Sequence, residues 1–492
     1  MTAQPIPALG SSRKQRCPAA QPVPLFVDVD GTLLRADLSI EAMVHQARAG
    51  LAALWQLICT MLAGRAAVKT LLARRVPVDA ARLPYRQSVL DLIAEARAAG
   101  RPVVLASASH RRPVAAIARH LGLTDPVIAS SRRANLKGAT KLAAIHARIG
   151  PDGTFDYVGD SAADLPLWQA ARRSFTVGLA PPGVERLATR EARLPILLRA
   201  MRPHQWAKNA LVLVPLAMSG QFLDPLLVLK AVVAAAAMSV IASAIYLVND
   251  VLDIDADRAH RTKWQRPLAH GDLSIPAALG WATLLGSGGL LVGWMAGGMV
   301  LIGWLLAYVA LSLAYSLRLK AAMVADAIAL ASLYTIRIWI GGAAVGVTIS
   351  YWLLLFSIFL FLSLAYLKRY IEIQGSTDLR QLVKGRGYVG GDLDLVMASG
   401  VAAGMVAILV LALFAHDPAT MRNYAAPDLL MLACLPLLYW LNRVWIMARR
   451  GEVEGDPVAF ALRDRRSLVL GAMIGAIFLA ALVGPEPLLT RI

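Results

Sequence analysis

The feature that most constrains this chain is a series of long apolar segments that begins at about residue 200. Eight of these segments have the ~20 residues that a helix needs to cross a hydrocarbon core of ~30 Å, and the first segment is shorter. The nine segments are residues 208–222, 226–248, 276–296, 299–317, 323–345, 350–370, 395–415, 427–447 and 466–485. They predict an all-α polytopic membrane bundle of about nine transmembrane helices.

The loops between these segments alternate in charge. The loop between the second and third segments carries four basic residues, whereas the loops around Gln221, Gly298 and Thr348 carry none. Cytoplasmic loops of membrane proteins are enriched in Lys and Arg. The net charge of +18 therefore reflects membrane topology, and we expect the lipid bilayer and no nucleic acid as a partner. The pattern predicts a multi-pass protein of the inner (cytoplasmic) membrane with a cytoplasmic N-terminal domain.

The second apolar segment ends in the sequence NDVLDIDAD, residues 249–257. On a continuous helix, Asn249, Asp253 and Asp257 share one face because they are four residues apart, and Asp250 lies beside them. Clustered carboxylates repel one another unless a cation binds them, and hard oxygen ligands suit Mg²⁺, which also binds substrate phosphates. The motif predicts a Mg²⁺-bridged phosphate site at the edge of the bundle. The alternative is a solvated acidic loop.

The residues before the membrane segments have the pattern of an α/β domain. Residues 1–21 are polar, with Pro and Ser, and predict a disordered tail. In residues 22–180, three short apolar strands within LFVDVDGTLL, PVVLASAS and FDYVGDSAADLP alternate with helical segments. This alternation favours a doubly wound parallel sheet whose site lies at the carboxyl ends of the strands. A linker, residues 181–199, would join this domain to a transmembrane domain over residues 200–492.

The polar residues at these strand ends resemble the four motifs of the haloacid dehalogenase (HAD) superfamily, in the same order. The matching residues are Asp28 and Asp30 in DVDGT, Ser107 in the second motif, Lys141 in the third with Lys137 as its rival, and Asp160 and Asp164 in the fourth. The resemblance implies a Rossmannoid phosphohydrolase domain.

The resemblance also implies a role for each of these side chains. Asp28 would attack phosphorus as a carboxylate nucleophile, and Asp30 would act first as general acid and then as general base. Ser107 and Lys141 would bind the phosphoryl oxygens. Mg²⁺ would offset the repulsion between nucleophile and phosphate. Its expected ligands are Asp28, Asp30, Asp160 and Asp164. The alternative is an inactive domain kept as a scaffold.

An apolar run, LAALWQLICTMLAG, lies between the first and second HAD motifs at residues 51–64. Its 14 residues are too few to span a bilayer. We interpret the run as part of a small helical cap over the phosphatase site. The alternative is contact with the membrane surface, which would bring that site close to a lipid substrate.

The acidic motif after the second apolar segment, NDxxDxxxD, resembles the first motif of the UbiA superfamily of intramembrane prenyl transferases, which are nine-helix bundles. The resemblance extends from about Leu194 to Gly484 and is most similar to the decaprenyl-phosphate phosphoribosyltransferase branch. The stretches that carry it are MRPHQWAKN (201–209), NDVLDIDADRAHRTKWQRPLAHG (249–271), YSLRLK (315–320), DAIALASLYTIRIWIGG (326–342), LKRY (367–370) and ALRDR (461–465).

One departure from the wider superfamily separates its branches. Aromatic prenyltransferases carry a second acidic motif, DxxxD, but here Asp326 is followed at the fourth position by Leu330. An acceptor that is itself a phosphate needs cations at its binding site, whereas a phenolic acceptor does not. The basic residues in the matching stretches are Lys320, Arg337, Lys368 and Arg369.

Arg337 lies near the middle of the fifth apolar segment, where a charge is costly and usually faces the bundle interior. It follows Asp326 by eleven residues, which returns to nearly the same helix face. The two side chains would line one cavity, about 16 Å apart along the helix axis. We interpret Arg337 as a contact to a phosphate or carboxylate. The alternative is a structural arginine satisfied by backbone carbonyls.

The resemblance implies that the membrane domain moves a phosphoribosyl group from phosphoribosyl diphosphate to a polyprenyl phosphate. Asn249, Asp250, Asp253 and Asp257 would hold Mg²⁺ on the diphosphate leaving group. The expected donor contacts are Lys208, Lys263 and Arg266. The expected acceptor contacts are Arg337, Lys368 and Arg369. The remaining substrate-binding candidates are Asn209, Lys320 and Asp326.

The fusion of two phosphate-handling domains suggests that the HAD domain removes the 5-phosphate from the ribose of its neighbour's product. Two rival functions stay open for the membrane domain. One is a UbiA-type transfer of a prenyl group to an aromatic acceptor, and the other is a cation-binding transporter.

Overall fold

The computed structural model describes residues 22–132, 134–187, 192–375, 386–418, 424–453 and 455–484, without the side chain of Arg65. The predicted tail, residues 1–21, lies outside the described residues. The chain forms two compact units. Unit 1 comprises Met1–Arg193, Asp255–Gln265 and Ala269–Ser274. Unit 2 comprises Leu194–Ile254, Arg266–Leu268 and Ile275–Ile492.

Unit 1 contains a six-stranded parallel sheet with the strand order β3-β2-β1-β4-β5-β6, which confirms the predicted α/β class. The strands are β1 Leu25–Val27, β2 Val103–His110, β3 Ile128–Ser130, β4 Asp156–Gly159, β5 Arg173–Thr176 and β6 Glu185–Arg186. β6 occupies part of the predicted linker because it pairs with β5.

Helices cover both faces of this sheet, so its central strands are apolar on both sides. In β1, Leu25 and Val27 pack into one core cluster and Phe26 into another, because successive side chains of a strand point to opposite faces. The helices are α1 Leu38–Arg48, α2 Leu51–Leu62, α3 Arg65–Arg75, α4 Gln87–Ala98, α5 Arg111–His120, α6 Ala139–Ile149 and α7 Leu165–Ala170. The first three of these helices are inserted between β1 and β2 and share a small core of their own.

Unit 2 is a helical bundle. Its longer helices are α8 Arg193–Met201, α10 Pro225–Leu252, α13 Ile275–Leu317, α14 Ala325–Val345, α15 Tyr351–Gln374, α16 Leu393–Ala415, α17 Cys434–Arg449 and α19 Arg465–Val483. Its short helices are α9 Val214–Met218 and α18 Pro457–Ala461, and the connection after α10 contains α11 Ile254–Arg258 and α12 Pro267–His270.

Seven helices among the described residues are long and apolar enough to cross a membrane. They are Pro225–Leu252, Ile275–Leu317, Ala325–Val345, Tyr351–Gln374, Gly390–Ala415, Pro427–Arg449 and Arg465–Val483. The multi-pass class is thereby confirmed, and the difference from the expected count of about nine has two sources.

The first source is the segment 208–222, which is not one continuous helix. Pro203–Leu213 forms a 3₁₀ helix and Val214–Met218 a single α-turn, with Pro215 in its first turn. Proline has no N–H and clashes with the preceding turn, so Pro215 disfavours one continuous helix through this segment.

The second source is the 43-residue α13, which joins the two predicted segments 276–296 and 299–317. Gly297 and Gly298 have non-helical dihedral angles, and Gly298 has a φ of +62°. A Cβ atom on Gly293 would overlap Cδ1 of Leu305, although a straight helix would hold these residues about 18 Å apart. The two halves of α13 therefore pack against each other as a hairpin, as the sequence predicts.

Candidate active sites

The HAD-motif residues of unit 1 meet at the carboxyl edge of its sheet. Asp28 directly follows β1, Ser107 lies in β2 and Asp160 directly follows β4. β2 and β4 flank β1 in parallel register, with Val27 opposite both Leu105 and Val158. The carboxyl ends of neighbouring parallel strands lie side by side, so residues far apart in sequence converge there.

Lys141 is the cation of this site. It is 3% exposed, and its Nζ atom lies 2.8 Å from Asp28 Oδ1 and 3.4 Å from Asp164 Oδ1. Its third partner is the hydroxyl of Tyr157 at 3.0 Å, which donates to Asp164 Oδ1 at 2.7 Å. The rival Lys137 is exposed. The structure therefore favours Lys141 as the third-motif lysine, and it adds Tyr157, which sequence reasoning missed.

Asp30 occupies a separate position from the other carboxylates. Its Oδ2 accepts a hydrogen bond from Ser107 Oγ at 3.0 Å, and its Oδ1 accepts one from the N–H of Leu38, the first residue of α1, at 2.9 Å. Burial raises the pKa of Asp30 above its ordinary value. A carboxyl group that holds its proton more readily is suited to donate it to a leaving group.

Asp28, Asp160 and Asp164 form the group with the geometry of a metal site. Each offers a carboxylate oxygen within 4.8 Å of the others. Gly31 has a φ of +76°, and a Cβ atom there would overlap the Asp160 carboxylate, so only glycine permits this approach. Three hard oxygen donors, one of them on the predicted nucleophile Asp28, fit Mg²⁺. Asp30, which we also predicted as a ligand, does not belong to this group.

Burial sets the electrostatics of this cluster. It raises the pKa of Asp28 above its ordinary range, although the Lys141 ammonium opposes the shift. Burial also raises the pKa of Asp160, to about 6. Burial lowers the pKa of Lys141, but the charges of Asp28 and Asp164 outweigh this effect and leave the pKa raised. A divalent cation would offset the same repulsion between carboxylates.

Lys69, on α3, connects the inserted helices to the catalytic edge. Its Nζ donates to the backbone oxygen of Ala108 at 2.6 Å and to Asn135 Oδ1 at 2.9 Å. Ala108 follows Ser107 directly. A lysine in a helical insertion has no motif around it, so no local signal in the sequence indicates this contact.

In unit 2 the helix that carries the acidic motif is interrupted inside it. α10 ends at Leu252, Asp253 caps it with a φ of −104° and a ψ of 12°, and α11 begins at Ile254. The N–H of Asp253 still donates to the backbone oxygen of Asn249 at 2.8 Å, so the expected shared helix face holds for this pair but does not continue to Asp257. Asp250 and Asp257 are both buried, at 2% and 4% exposure. Among the described residues, the carboxylates of this motif do not come within metal-bridging distance as a group of three.

Basic side chains of unit 2 contact the acidic motif. Arg202 and Arg266 both bind Asp250 Oδ1, the latter at 3.4 Å, and Lys320 Nζ lies 2.6 Å from Asp253 Oδ1. Arg202 has a φ of +55°, an unusual conformation for a residue with a side chain. We predicted Arg266 and Lys320 as site residues, whereas Arg202 was not among the predicted residues.

The side chain of Asn249 indicates whether the acidic motif is suited to bind a metal ion. Its side-chain oxygen is buried and accepts no hydrogen bond among the described residues. A buried acceptor without a donor costs about 1–3 kcal/mol. A hard cation would satisfy this oxygen, so the donor set of Asn249 and its neighbouring carboxylates fits Mg²⁺.

A second set of basic residues in unit 2 gathers around Asp456, the cap of α18. Lys208 Nζ lies 2.6 Å and Lys368 Nζ 3.5 Å from Asp456 Oδ2. Burial alone would raise the pKa of Asp456, but Lys368 and Lys208 outweigh it and lower the pKa to about 2. The structure thus groups Lys208 with Lys368, not with Arg266. Lys263 is exposed, in the part of the connecting loop that belongs to unit 1.

Arg337 adjoins this basic set through an aromatic ring. Its guanidinium lies 5.5 Å from the ring centroid of Tyr334, and Lys208 Nζ lies 5.7 Å from the same centroid. Arg337 is 5% exposed, and its Nε donates to Asn209 Oδ1 at 2.9 Å. It also donates to the backbone oxygen of Leu333. Within the described residues it pairs with no carboxylate. Asn209, which we predicted to bind substrate, therefore positions Arg337.

Arg369 and Asp326 form the buried part of a separate network. Arg369 Nε is 2.6 Å from Asp326 Oδ2, and both residues are 0% exposed. Asp326 Oδ1 accepts from the Tyr388 hydroxyl at 2.8 Å, and Arg369 also pairs with Glu372. The predicted cavity shared by Asp326 and Arg337 is not supported, because Asp326 faces this ion pair. The network positions helices α14 and α15.

Comparisons with known proteins agree with the division of the chain into an N-terminal α/β domain and a helical membrane domain. The chain matches the model of the UbiA prenyltransferase family over residues 210–468 and that of haloacid dehalogenase-like hydrolases over residues 25–169. The Sinorhizobium fredii "Uncharacterized protein y4nM" is 36% identical over 484 residues, which cover 94% of this chain and 91% of that protein. Decaprenyl-phosphate phosphoribosyltransferase of Mycolicibacterium smegmatis is 33% identical over 294 residues, which cover 57% of this chain and 91% of that protein. A solved UbiA homologue from Archaeoglobus fulgidus bound to GPP and Mg²⁺ has a TM-score of 0.43 and 15% identity, and the match covers 59% of this chain and 100% of that one.

The fold and the sites define a membrane-embedded transferase joined to a phosphohydrolase domain. The chain belongs to the UbiA prenyltransferase family and carries an N-terminal haloacid dehalogenase-like hydrolase domain. It is distantly homologous to the decaprenyl-phosphate phosphoribosyltransferases. Both family resemblances predicted from the motifs are confirmed.

Proposed function

We propose that the transferase moves a phosphoribosyl group from phosphoribosyl diphosphate to a polyprenyl phosphate. The observation that carries the proposal is the gathering of Lys208, Lys368 and Arg337 around Asp456 and Tyr334, apart from the basic residues that bind the acidic motif. Three cations exceed the charge of one carboxylate. They suit an acceptor that is itself an anion, whereas a phenol requires no such set. The name of the Mycolicibacterium smegmatis relative gives the same substrate class.

In this proposal the two sets of charged residues bind the two substrates. Asn249, Asp250 and Asp253 would hold Mg²⁺, which would make diphosphate a better leaving group. The donor phosphates are bound by basic residues, namely Arg202, Lys263, Arg266 and Lys320. The acceptor phosphate is bound by Lys208, Arg337 and Lys368. A phosphate oxygen of the lipid attacks the anomeric carbon, the bond from that carbon to the diphosphate oxygen breaks, and diphosphate leaves with the electron pair.

The HAD domain, in turn, hydrolyses a phosphate monoester, and we assign it the 5-phosphate of the ribosylated lipid. An Asp28 oxygen attacks phosphorus while the ribose oxygen leaves and takes the proton of Asp30. Water then attacks the aspartyl-phosphate, Asp30 accepts its proton, and inorganic phosphate departs. Lys141 and Ser107 bind or position the phosphoryl group. We place both sites on the cytoplasmic side of the inner membrane, because the basic loops alternate in that sense.

The test uses the full chain in lipid nanodiscs with Mg²⁺, polyprenyl phosphate and labelled phosphoribosyl diphosphate, and mass spectrometry of the lipids. We expect a ribosyl lipid from the intact chain and at least a tenfold excess of its 5-phosphate form from Asp28→Asn. Lys137→Ala, which changes an exposed residue outside the site, serves as the control and should behave as the intact chain. Transfer of a prenyl group from prenyl diphosphate to a phenol, without any ribosyl lipid, would replace the proposal with the aromatic reaction.

A further inference from the structure

Helix α2, Leu51–Leu62, presents an apolar surface to solvent. Leu51 is 79% exposed, Trp55 68% and Leu62 89%. Leu54, Ile58 and Met61 are exposed as well. A single exposed leucine is ordinary, but a contiguous patch of large apolar side chains marks a surface that binds something.

The exposed side chains lie on one face of the helix. At 100° per residue, the six large residues fall within an arc of about 120°. Leu57, which lies about 40° beyond Met61 at the border of this arc, packs against Val68 and Leu72 of α3 in the small core of the inserted helices. Gln56 and Thr60 face away from the patch and are partly buried. The helix is therefore held to unit 1 by one face and leaves the more apolar face uncovered.

The charge around this helix is net positive. α2 contains no charged residue, and residues 37–79 carry five Lys and Arg residues against three acidic residues, Asp37, Glu41 and Asp79. Arg48, before α2, and Arg74 and Arg75, at the end of α3, are exposed. An apolar helix face with basic flanks is the composition of helices that lie in the surface of an anionic bilayer.

We propose that α2 lies in the headgroup–acyl boundary of the membrane that the chain's own helices span, with anionic lipid as the partner. Its 12 residues extend about 18 Å, which is too short to span a bilayer and suits a helix parallel to its surface. The same polypeptide continues into membrane spans from Pro225 onward, so unit 1 is tethered to a bilayer surface. Of the two interpretations of residues 51–64, this proposal adopts membrane contact, made by a helix of the cap.

The position of α2 within unit 1 gives this contact a catalytic consequence. α1 begins at Leu38, whose N–H binds Asp30, and α3 holds the backbone after Ser107 through Lys69. The helices on either side of α2 in the sequence thus both touch the catalytic edge. Docking of α2 holds the phosphatase site at a lipid surface. That its substrate there is the ribosyl lipid rests on the proposed function, whereas the docking itself does not.

The experiment uses the full chain in nanodiscs that contain anionic lipid, with Cys17→Ser and Cys434→Ser to leave Cys59 as the only thiol. Cys59 is exposed on α2 beside the apolar face and accepts a fluorophore. We expect headgroup-level spin-labelled lipid to quench at least half of the fluorescence. Leu51→Glu with Ile58→Glu should reduce the quenching at least threefold. The matched control is Ala94→Glu with Ala98→Glu, which adds the same charge to exposed positions of α4 and should leave the quenching unchanged.

Three results would overturn the docking. The first is a fluorophore that the spin-labelled lipid does not quench but a water-soluble quencher does. The second is a fluorophore that neither quencher reaches, which would show that protein covers the helix. The third is quenching that depends on protein concentration, which would show pairing with a second copy. Hydrolysis assays separate this inference from the proposed function. In the Leu51/Ile58 variant, hydrolysis of the ribosyl lipid should fall at least fivefold while that of a soluble aryl phosphate stays within twofold. If the intact chain shows quenching but hydrolyses no ribosyl lipid, the docking stands and the proposed substrate does not.

Discussion

Individual buried charged side chains stabilise each of the two sites. Lys141 is the clearest case, because its ammonium group pairs with both Asp28 and Asp164 at a position where all three side chains are buried. Burial of carboxylates is tolerated only when a cation or hydrogen-bond donors accompany them. One ammonium group therefore holds the predicted nucleophile Asp28 and the predicted metal ligand Asp164 in place at the same time.

We predict that Lys141→Ala lowers kcat for a soluble aryl phosphate by ~100-fold or more, the loss typical of removing one group that stabilises developing charge. Lys137→Ala, four residues earlier in the same region and exposed, should stay within twofold of the intact chain. Steady-state kinetics of the full chain in nanodiscs measure both. The reverse order of effects would identify Lys137 as the functional lysine.

Asp156 of β4 is a buried charge with a structural task. It is 0% exposed and pairs with Arg101 and Arg172. Burial alone would raise its pKa, but these two guanidinium groups outweigh it and lower the pKa below the ordinary 3.8. A carboxyl group whose pKa is lower in the folded state stabilises the fold above the unfolded pKa. That contribution is lost as the pH falls below about 4.

We predict that Asp156→Asn destabilises unit 1 by about 1–3 kcal/mol at pH 7. This is less than the ~3–5 kcal/mol for a fully buried pair, because both arginines reach water. The difference from the intact chain should shrink as the pH falls from 5 towards 3. Calorimetric unfolding of the full chain across this pH range measures both effects. A difference that is independent of pH would show that Asp156 acts through packing and not through its charge.

At the scale of elements, helix α14 and the 3₁₀ segment Pro203–Leu213 together position the basic set. Arg337 lies on the helix, while Lys208 and Asn209 lie on the segment. The helix and the 3₁₀ segment approach each other closely at Gly341, where a Cβ atom would overlap the backbone oxygen of Val212. A backbone atom cannot rotate away as a side chain can, so a larger residue must push the two elements apart.

We predict that Gly341→Ala lowers ribosyl transfer at least tenfold while hydrolysis of a soluble aryl phosphate by unit 1 is unchanged. Gly303→Ala in α13 is the matched control, because a Cβ atom there meets nothing within 4 Å. Alanine favours a helix by about 1 kcal/mol over glycine, so this control should be neutral or slightly stabilising. Product analysis in nanodiscs reports both activities. Equal losses in the two variants would indicate a general intolerance of α13 and α14 to alanine.

At the scale of the whole molecule, two sites with separate residues lie on one chain. The phosphatase residues all belong to unit 1, whereas Asp250 and the basic set belong to unit 2. Each site holds its own carboxylates and cations. The chemistry therefore allows either site to work when the other is disabled.

We predict that Asp250→Asn abolishes lipid ribosylation and leaves soluble phosphatase activity within twofold, and that Asp28→Asn does the opposite. Liposomes that contain both variants should restore the dephosphorylated ribosyl lipid, because a lipid intermediate diffuses between chains in one bilayer. Mass spectrometry of the lipids measures this. Failure of the mixture, with each variant keeping its remaining activity, would show that the intermediate passes only within one chain.

Much of the phosphatase site could be predicted from the sequence. Asp28, Ser107 and Asp160 each lie at or near the end of a short apolar strand, and parallel strands bring such ends to one edge. The membrane segments, including both halves of the α13 hairpin, follow from hydropathy because lipid requires long apolar helices. Strand ends and long apolar segments are visible in short stretches of sequence, because they depend on residues that are close together in the chain.

The pairing of charges across unit 2 was decided by the tertiary structure. Asp456 binds Lys208 from 248 positions away, and Arg369, which we predicted as an acceptor contact, pairs with Asp326. The break after Leu252 separates Asp257 from the helix that the spacing suggested. Periodicity assigns a residue to a face only while its helix continues. Which charges meet depends on how distant helices pack, because a buried charge binds whatever partner the fold brings to it.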